Sequence, residues 1–139
     1  MEAEAEEELQ TAHKMQMGLM PTVHPQIEGL EVFGRCVPAN HVSGDFFQYF
    51  EQDGKPSLTM ADVTGHAMDA AIPVLMFSGI LSKQMEFGGS LDTIFDGLNH
   101  SMCQALDDRT FVCFMMGQID LSNLSFSFSN GGCPYPYHF

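Results

Sequence analysis

The sequence predicts an antiparallel α+β layer fold, and three observations point to it. Short runs in which apolar and polar residues alternate occur towards both ends of the chain, as in strands with one buried face. Two helix-forming stretches, at about 66–87 and 91–106, lie between those runs. Asp53-Gly54, a pair that favours a tight two-residue hairpin, separates the two strongest strand candidates. Hairpins on either side of a helix pair give antiparallel strands with helices packed on the sheet.

The elements follow in order. Residues 2–20 are rich in Glu, Ala, Leu, Gln, Lys and Met and read as a helix. Ala5, Leu9, Ala12, Gln16 and Leu19 recur at alternating four- and three-residue spacing, as along a coiled-coil seam that Gln16 weakens. This helix either lies on its own domain or is the stub of a helical linker from something upstream. Pro21 and Pro25 end it. Leu30–Val37 alternates loosely and reads as a first strand, followed by Asp45–Gln52 and Lys55–Val63 around the Asp53-Gly54 turn. The helix from about His66 to Phe87 tolerates Pro73 only near its first turns or as a kink, and Gly88-Gly89 stops it. Ser90 or Asp92 can cap the next helix. Asp107-Asp108-Arg109 reads as a loop and Phe111–Asp120 as an apolar strand. In the final strand Leu124, Phe126 and Phe128 alternate with serines. The expected order is α-β-β-β-α-α-β-β. Met68, Met76, Met85, Met115 and Met116 are expected to fill gaps in the core.

The chain's 139 residues suit one domain or part of one, and a 45% hydrophobic fraction supports a core. The division expected is a helical linker or regulatory helix over 1–25 and a single α+β domain over 26–139. Acidic residues number 18 against 5 basic ones, for a formal charge of −13. Five cations neutralise few phosphates, which argues against nucleic acid and against anionic membrane surfaces as partners. No apolar run is long enough for a transmembrane helix, and the acidic start is unlike a secretory signal. Cys36, Cys103, Cys113 and Cys133 are scattered without a CxxC pair and read as buried thiols in a reducing cytoplasm rather than as disulfides or a zinc site.

Counting outward from Asp53-Gly54 as a two-residue turn, Tyr49 faces Leu58, Phe47 faces Met60 and Asp45 faces Asp62. All six side chains then project from one face. Two carboxylates opposed at the end of an apolar stripe repel, and a fold tolerates them if they share a proton or hold a cation between them. A hard divalent ion such as Mg²⁺ or Mn²⁺ suits such oxygen donors. The alternatives are a slipped register, a bulge, or an Asp that merely caps the next helix. Ser43-Gly44 before Asp45 and Val63-Thr64-Gly65-His66 after Asp62 let backbone approach a ligand closely. The helix starting near His66 aims its N-terminal N–H groups towards the same end of the hairpin, which suits phosphate.

The strings VPANHVSGDFFQYF (37–50), TMADVTGHAMDAA (59–71), LN (98–99), TFVCFMMGQID (110–120) and FSNGGCPYPY (128–137) together resemble the metal-dependent protein phosphatase (PPM) family. The branch they resemble is the bacterial SpoIIE-type one, with its RsbU-like stress phosphatases. The ELQTAHKMQMGLMP opening is similar to the helix that precedes the domain there, so the likeness runs from about residue 9 to the end.

The resemblance implies an α-β-β-α sandwich that hydrolyses phosphoserine or phosphothreonine on a protein, with water activated between two Mn²⁺ or Mg²⁺ ions. It implies Asp45, Asp62 and the Val63 carbonyl as metal ligands, and Gly65, His66 and Asn130 near the phosphate. It implies a phosphorylated STAS-domain anti-sigma-factor antagonist as the substrate, and an upstream sensor acting through the N-terminal helix. Three departures stand out: Gln48 where the family often has a second Asp, Ala67 for a glycine, and Cys133 for a histidine. The later segment that supplies further metal-binding aspartates is also missing, so the expectation is the N-terminal two-thirds of the domain with an incomplete metal site. An exposed sheet edge in such a fragment predicts self-association, a homodimer among the outcomes. The alternative reading is a catalytically incompetent phosphatase-like module that binds a phosphoprotein or a partner helix.

Overall fold

Asp53 (φ 53°) and Gly54 (φ 74°) both take the left-handed conformation, the combination that a type I′ turn requires. That turn joins β1 (Asp45–Gln52) to β2 (Lys55–Val63) in a computed structural model of the chain, which describes residues 1–39, 41–65 and 68–139. The hairpin register runs from Gln52↔Lys55 at the turn to Asp45↔Asp62 at the open end. The other elements are α1 (Glu2–Met17), α2 (Met68–Phe87), α3 (Leu91–Ala105), β3 (Val112–Asp120) and β4 (Ser125–Gly131). The four strands form one antiparallel sheet in the order β1-β2-β3-β4.

Period-two alternation divides this sheet into two unlike faces. Phe46, Ala61, Val63, Phe114 and Met116 point from one face into the core with Val74, Phe77 and Leu81 of α2 and Ile94, Leu98 and Met102 of α3. The last three lie four residues apart, so they form one apolar stripe on their helix. Phe77 meets Phe46 and Phe114 edge-on, with ring centroids 6.1 and 5.1 Å away. Ser90 caps α3 by accepting a hydrogen bond from the Thr93 N–H at 3.2 Å, as its position predicts. Pro73 lies in the second turn of α2, where its missing N–H leaves the Asp69 carbonyl without the usual donor four residues on. This α+β arrangement of one antiparallel sheet under two helices is the class expected.

One expected strand does not form. Residues 31–39 are extended chain without ladder pairing, and the only bridge nearby is the isolated Ile27↔Leu30. The loose alternation at Leu30–Val37 reflects packing instead: the segment crosses the outer face of the sheet, and Gly34 lies tight against Phe47 and Tyr49. The rest of that face keeps Met60, Phe126 and Phe128 exposed. Among the methionines, Met116 is fully buried as expected, whereas Met68 is exposed on the first turn of α2.

The end of α1 docks on the domain while its acidic beginning stays exposed. Gln16 and Met20 are buried, and Met17 and Leu19 pack on the core. Gln48 projects from the helix side of β1 and donates to the Leu19 carbonyl at 3.0 Å. Among the described residues no helix is long and apolar enough to cross a membrane.

Candidate functional site

The open end of the β1–β2 hairpin carries the site. Asp45 and Asp62 are paired across the two strands and project from the outer face. Burial pushes the Asp62 carboxyl above the ordinary carboxylate range, and the charge of Asp45 and a hydrogen bond with it push further the same way. Among the described residues neither acid is ion-paired: the only ion pair is Lys83–Glu86, on the surface of α2, although Arg35 lines the same cleft. A fold tolerates two opposed carboxylates where they share a proton or a cation lies between them.

Gly44 makes the approach possible. The Val63 N–H donates to the Gly44 carbonyl at 2.9 Å, continuing the pairing one step beyond β1. A Cβ on Gly44 would fall 2.3 Å from the Val63 carbonyl oxygen, so only glycine lets the two backbones come this close. The same virtual Cβ would meet Ala70 of α2 at 3.3 Å, which brings the first turn of that helix to the carboxylate end of the hairpin. Gly65 (φ 119°) turns the chain between β2 and α2 and lies against Asp69 and Ala70. His66, expected near the phosphate, lies outside the described residues, as does Ala67.

Asn130 is placed differently from the carboxylates. Its side chain accepts from the Cys133 N–H at 2.8 Å and donates to the Cys133 carbonyl at 2.9 Å, closing the turn that follows β4. Gln48, which stands where the resemblance leads one to look for a further acid, points away from the pair and is occupied with Leu19. Three thiols that the sequence reading left scattered share one cleft with Asp45 and Asp62. Cys36, Cys113 and Cys133 line its wall, and its volume is about 620 Å³. Cys113 is the cross-strand partner of Asp62. Burial, and then Asp45, push the Cys36 thiol up, while Cys133 is pushed up by burial, Cys113 and Asp62. The signal for Cys113 lay in the β2–β3 register, which no turn residue announces.

Asp45, Asp62 and the Val63 carbonyl are the oxygen donors here that could hold a hard divalent ion. Among the described residues, no group of three or more His, Cys, Asp and Glu side chains is arranged to hold a metal.

Phosphoserine phosphatase RsbU of Bacillus subtilis (strain 168) is 24% identical over 132 residues, which cover 95% of this chain. The chain spans 39% of the length of that curated relative. The family model described as Stage II sporulation protein E (SpoIIE) matches residues 52–139, which include Asp62, Gly65, Asn130 and the whole of β2 through β4. With well over half of its length matched by that model, the chain belongs to the SpoIIE family.

Proposed function

We propose that this chain carries the Asp45–Asp62 end of a metal-dependent protein phosphatase site, acting on phosphoserine or phosphothreonine in a protein substrate. The observation that carries this reading is the pairing of Asp45 with Asp62 across a hairpin, with no ion-pair partner for either among the described residues. The likeness to a phosphoserine phosphatase over nearly the whole chain supports the reaction class.

Asp45, Asp62 and the Val63 carbonyl would hold Mn²⁺ or Mg²⁺. Such an ion lowers the pKa of a bound water and neutralises charge on a phosphate ester. The chain's own groups do the rest. The two carboxylates fix the ion's position, and the close Gly44–Val63 contact keeps the carbonyl at the same end of the hairpin. Gly65 turns the chain ahead of α2, whose N-terminal N–H groups favour an anion, and His66 belongs to the phosphate side by the resemblance alone. Asn130 supports the phosphate side by holding the turn at Cys133.

Residues 1–25 serve in this reading as a regulatory helix that links an upstream sensor to the domain at 26–139. The substrate proposed is a phosphorylated STAS-type antagonist of an anti-sigma factor, in partner-switching signalling. Four free thiols suit a cytoplasmic setting. A second reading, a phosphoprotein-binding module without turnover, is favoured by the presence of only two carboxylates in the described site and by Cys133 in place of a histidine.

The test is calorimetric Mn²⁺ titration of the chain and of Asp45→Asn, with hydrolysis of p-nitrophenyl phosphate and of a phosphoserine protein followed in parallel. Binding and turnover that both vanish in the variant support the phosphatase site. Binding without turnover moves the chain to the second reading. Absence of binding in the unaltered chain removes the metal site altogether.

A further inference from the structure

We infer that Cys113 and Cys133, which lie 20 positions apart in sequence, form a redox-sensitive thiol pair that closes to a disulfide beside Asp62. The β3–β4 register ends at Phe114↔Gly131, so the next residue of each strand brings Cys113 against Gly132. Gly132 has φ 90°, and a Cβ there would sit 3.3 Å from the Cys113 Sγ, so the chain passes directly over the thiol. Cys133 is the next residue. Paired strand positions lie about 4.5–5.5 Å apart, and a disulfide spans Cα separations of about 4.4–6.8 Å. Cys133 follows that contact directly, so its backbone leaves from beside the Cys113 thiol, and closure requires the two Cα atoms to come within that span.

Two further observations fit a pair poised to close. Asn130 clamps both backbone groups of Cys133, which fixes the turn that presents its thiol. Both thiols also open onto the same solvent-reached cleft, so an oxidant can reach them. Cys103 differs in every respect: it is exposed on α3, hydrogen-bonded to Asn99, and outside that cleft.

A peroxide supplies the chemistry. One thiolate attacks the O–O bond, so that an S–O bond forms, the O–O bond breaks and one water leaves. The second sulfur then attacks the sulfenic sulfur, so that an S–S bond forms, the S–O bond breaks and a second water leaves. Two thiols lose two electrons in all, and one hydrogen peroxide becomes two waters. A dithiol reverses the step by exchange. The bond ties the strand beside Asp62 to the segment that follows β4, so the wall of the carboxylate cleft differs between the two redox states.

The experiment uses the whole chain treated with hydrogen peroxide, alkylated, and digested before Asp120, which places the two cysteines on separate peptides. The expected result is a fall from four free thiols to two, a linked peptide pair containing Cys113 and Cys133, and full recovery with dithiothreitol. Cys133→Ser and Cys113→Ser should each abolish the linked pair while Cys103 still alkylates. Linkage between other cysteines would overturn the inference. So would oxidation of Cys113 and Cys133 to unlinked acids, or four thiols that survive peroxide. Mapping of the unaltered chain decides the matter even if a variant folds poorly, and none of these readouts depends on metal binding or turnover.

Discussion

The side-chain amide of Gln16 grips Ser43 by both of its backbone groups: its Nε2 donates to the Ser43 carbonyl, and its Oε1 accepts from the Ser43 N–H at 2.8 Å. The Ser43 hydroxyl accepts in turn from the Asp45 N–H at 3.0 Å. A residue of the N-terminal helix is thereby two hydrogen-bonded steps from a candidate metal ligand. Gln16 is buried, so Gln16→Ala strands two backbone groups at a half-buried position and should cost about 1–3 kcal/mol. Urea unfolding would measure the loss. Mn²⁺ affinity should fall too, because Asp45 loses its anchor. A variant with unchanged affinity would confine Gln16 to docking the helix.

Asp62→Asn should act in opposite directions with and without metal. Without it, the substitution relieves a like-charge pair on adjacent strands and should raise stability at neutral pH by about 0.2–1 kcal/mol. With Mn²⁺ present, the variant should lose the metal-dependent rise in melting temperature that the unaltered chain shows. Differential scanning calorimetry with and without Mn²⁺ reads both effects. A destabilised metal-free variant would mean that Asp62 has a structural role.

Gly44→Ala tests the contact between backbones. The added Cβ would lie 2.3 Å from the Val63 oxygen, and neither partner is a flexible side-chain end. The strand end must move, at a cost of about 1–3 kcal/mol. The expected signature is a lower urea midpoint together with weaker Mn²⁺ binding. Gly79→Ala, where a Cβ would meet nothing within 4 Å, is the control: it should leave Mn²⁺ binding unchanged and, as alanine for glycine within a helix, raise the urea midpoint.

The hairpin that carries the carboxylates was legible in the sequence because a two-residue turn leaves one register, and alternation then fixes the face. Asp45 opposite Asp62 followed from Asp53-Gly54 alone. The β2–β3 register had no such anchor, since two helices separate those strands. Cys113 beside Asp62 therefore appeared only in the folded chain. Leu30–Val37 misled because packing across a sheet face selects the same loose alternation as pairing within it. Gln48 misled less: its replacement of an acid was visible, but its bond to Leu19 depends on where α1 ends.

The loop between α3 and β3 gives a pH-dependent prediction away from the carboxylate pair. Asp107 Oδ1 accepts from the Thr110 hydroxyl and from the Arg109 N–H, each at 2.9 Å. These bonds favour the ionised form and hold the Asp107 carboxyl below the ordinary carboxylate range, the Thr110 bond most strongly. A carboxyl whose folded-state pKa is depressed contributes stability above its unfolded value and loses it as pH falls through the folded one. Protection of the Arg109 amide, corrected for intrinsic exchange, should therefore hold through mild acid and fall only below the usual carboxylate range. Asp107→Asn keeps an acceptor oxygen, so it should retain part of the protection and lose its pH dependence. Asp107→Ala should lose the protection at every pH. Equal pH dependence in the unaltered chain and in Asp107→Asn would assign the transition to another acid.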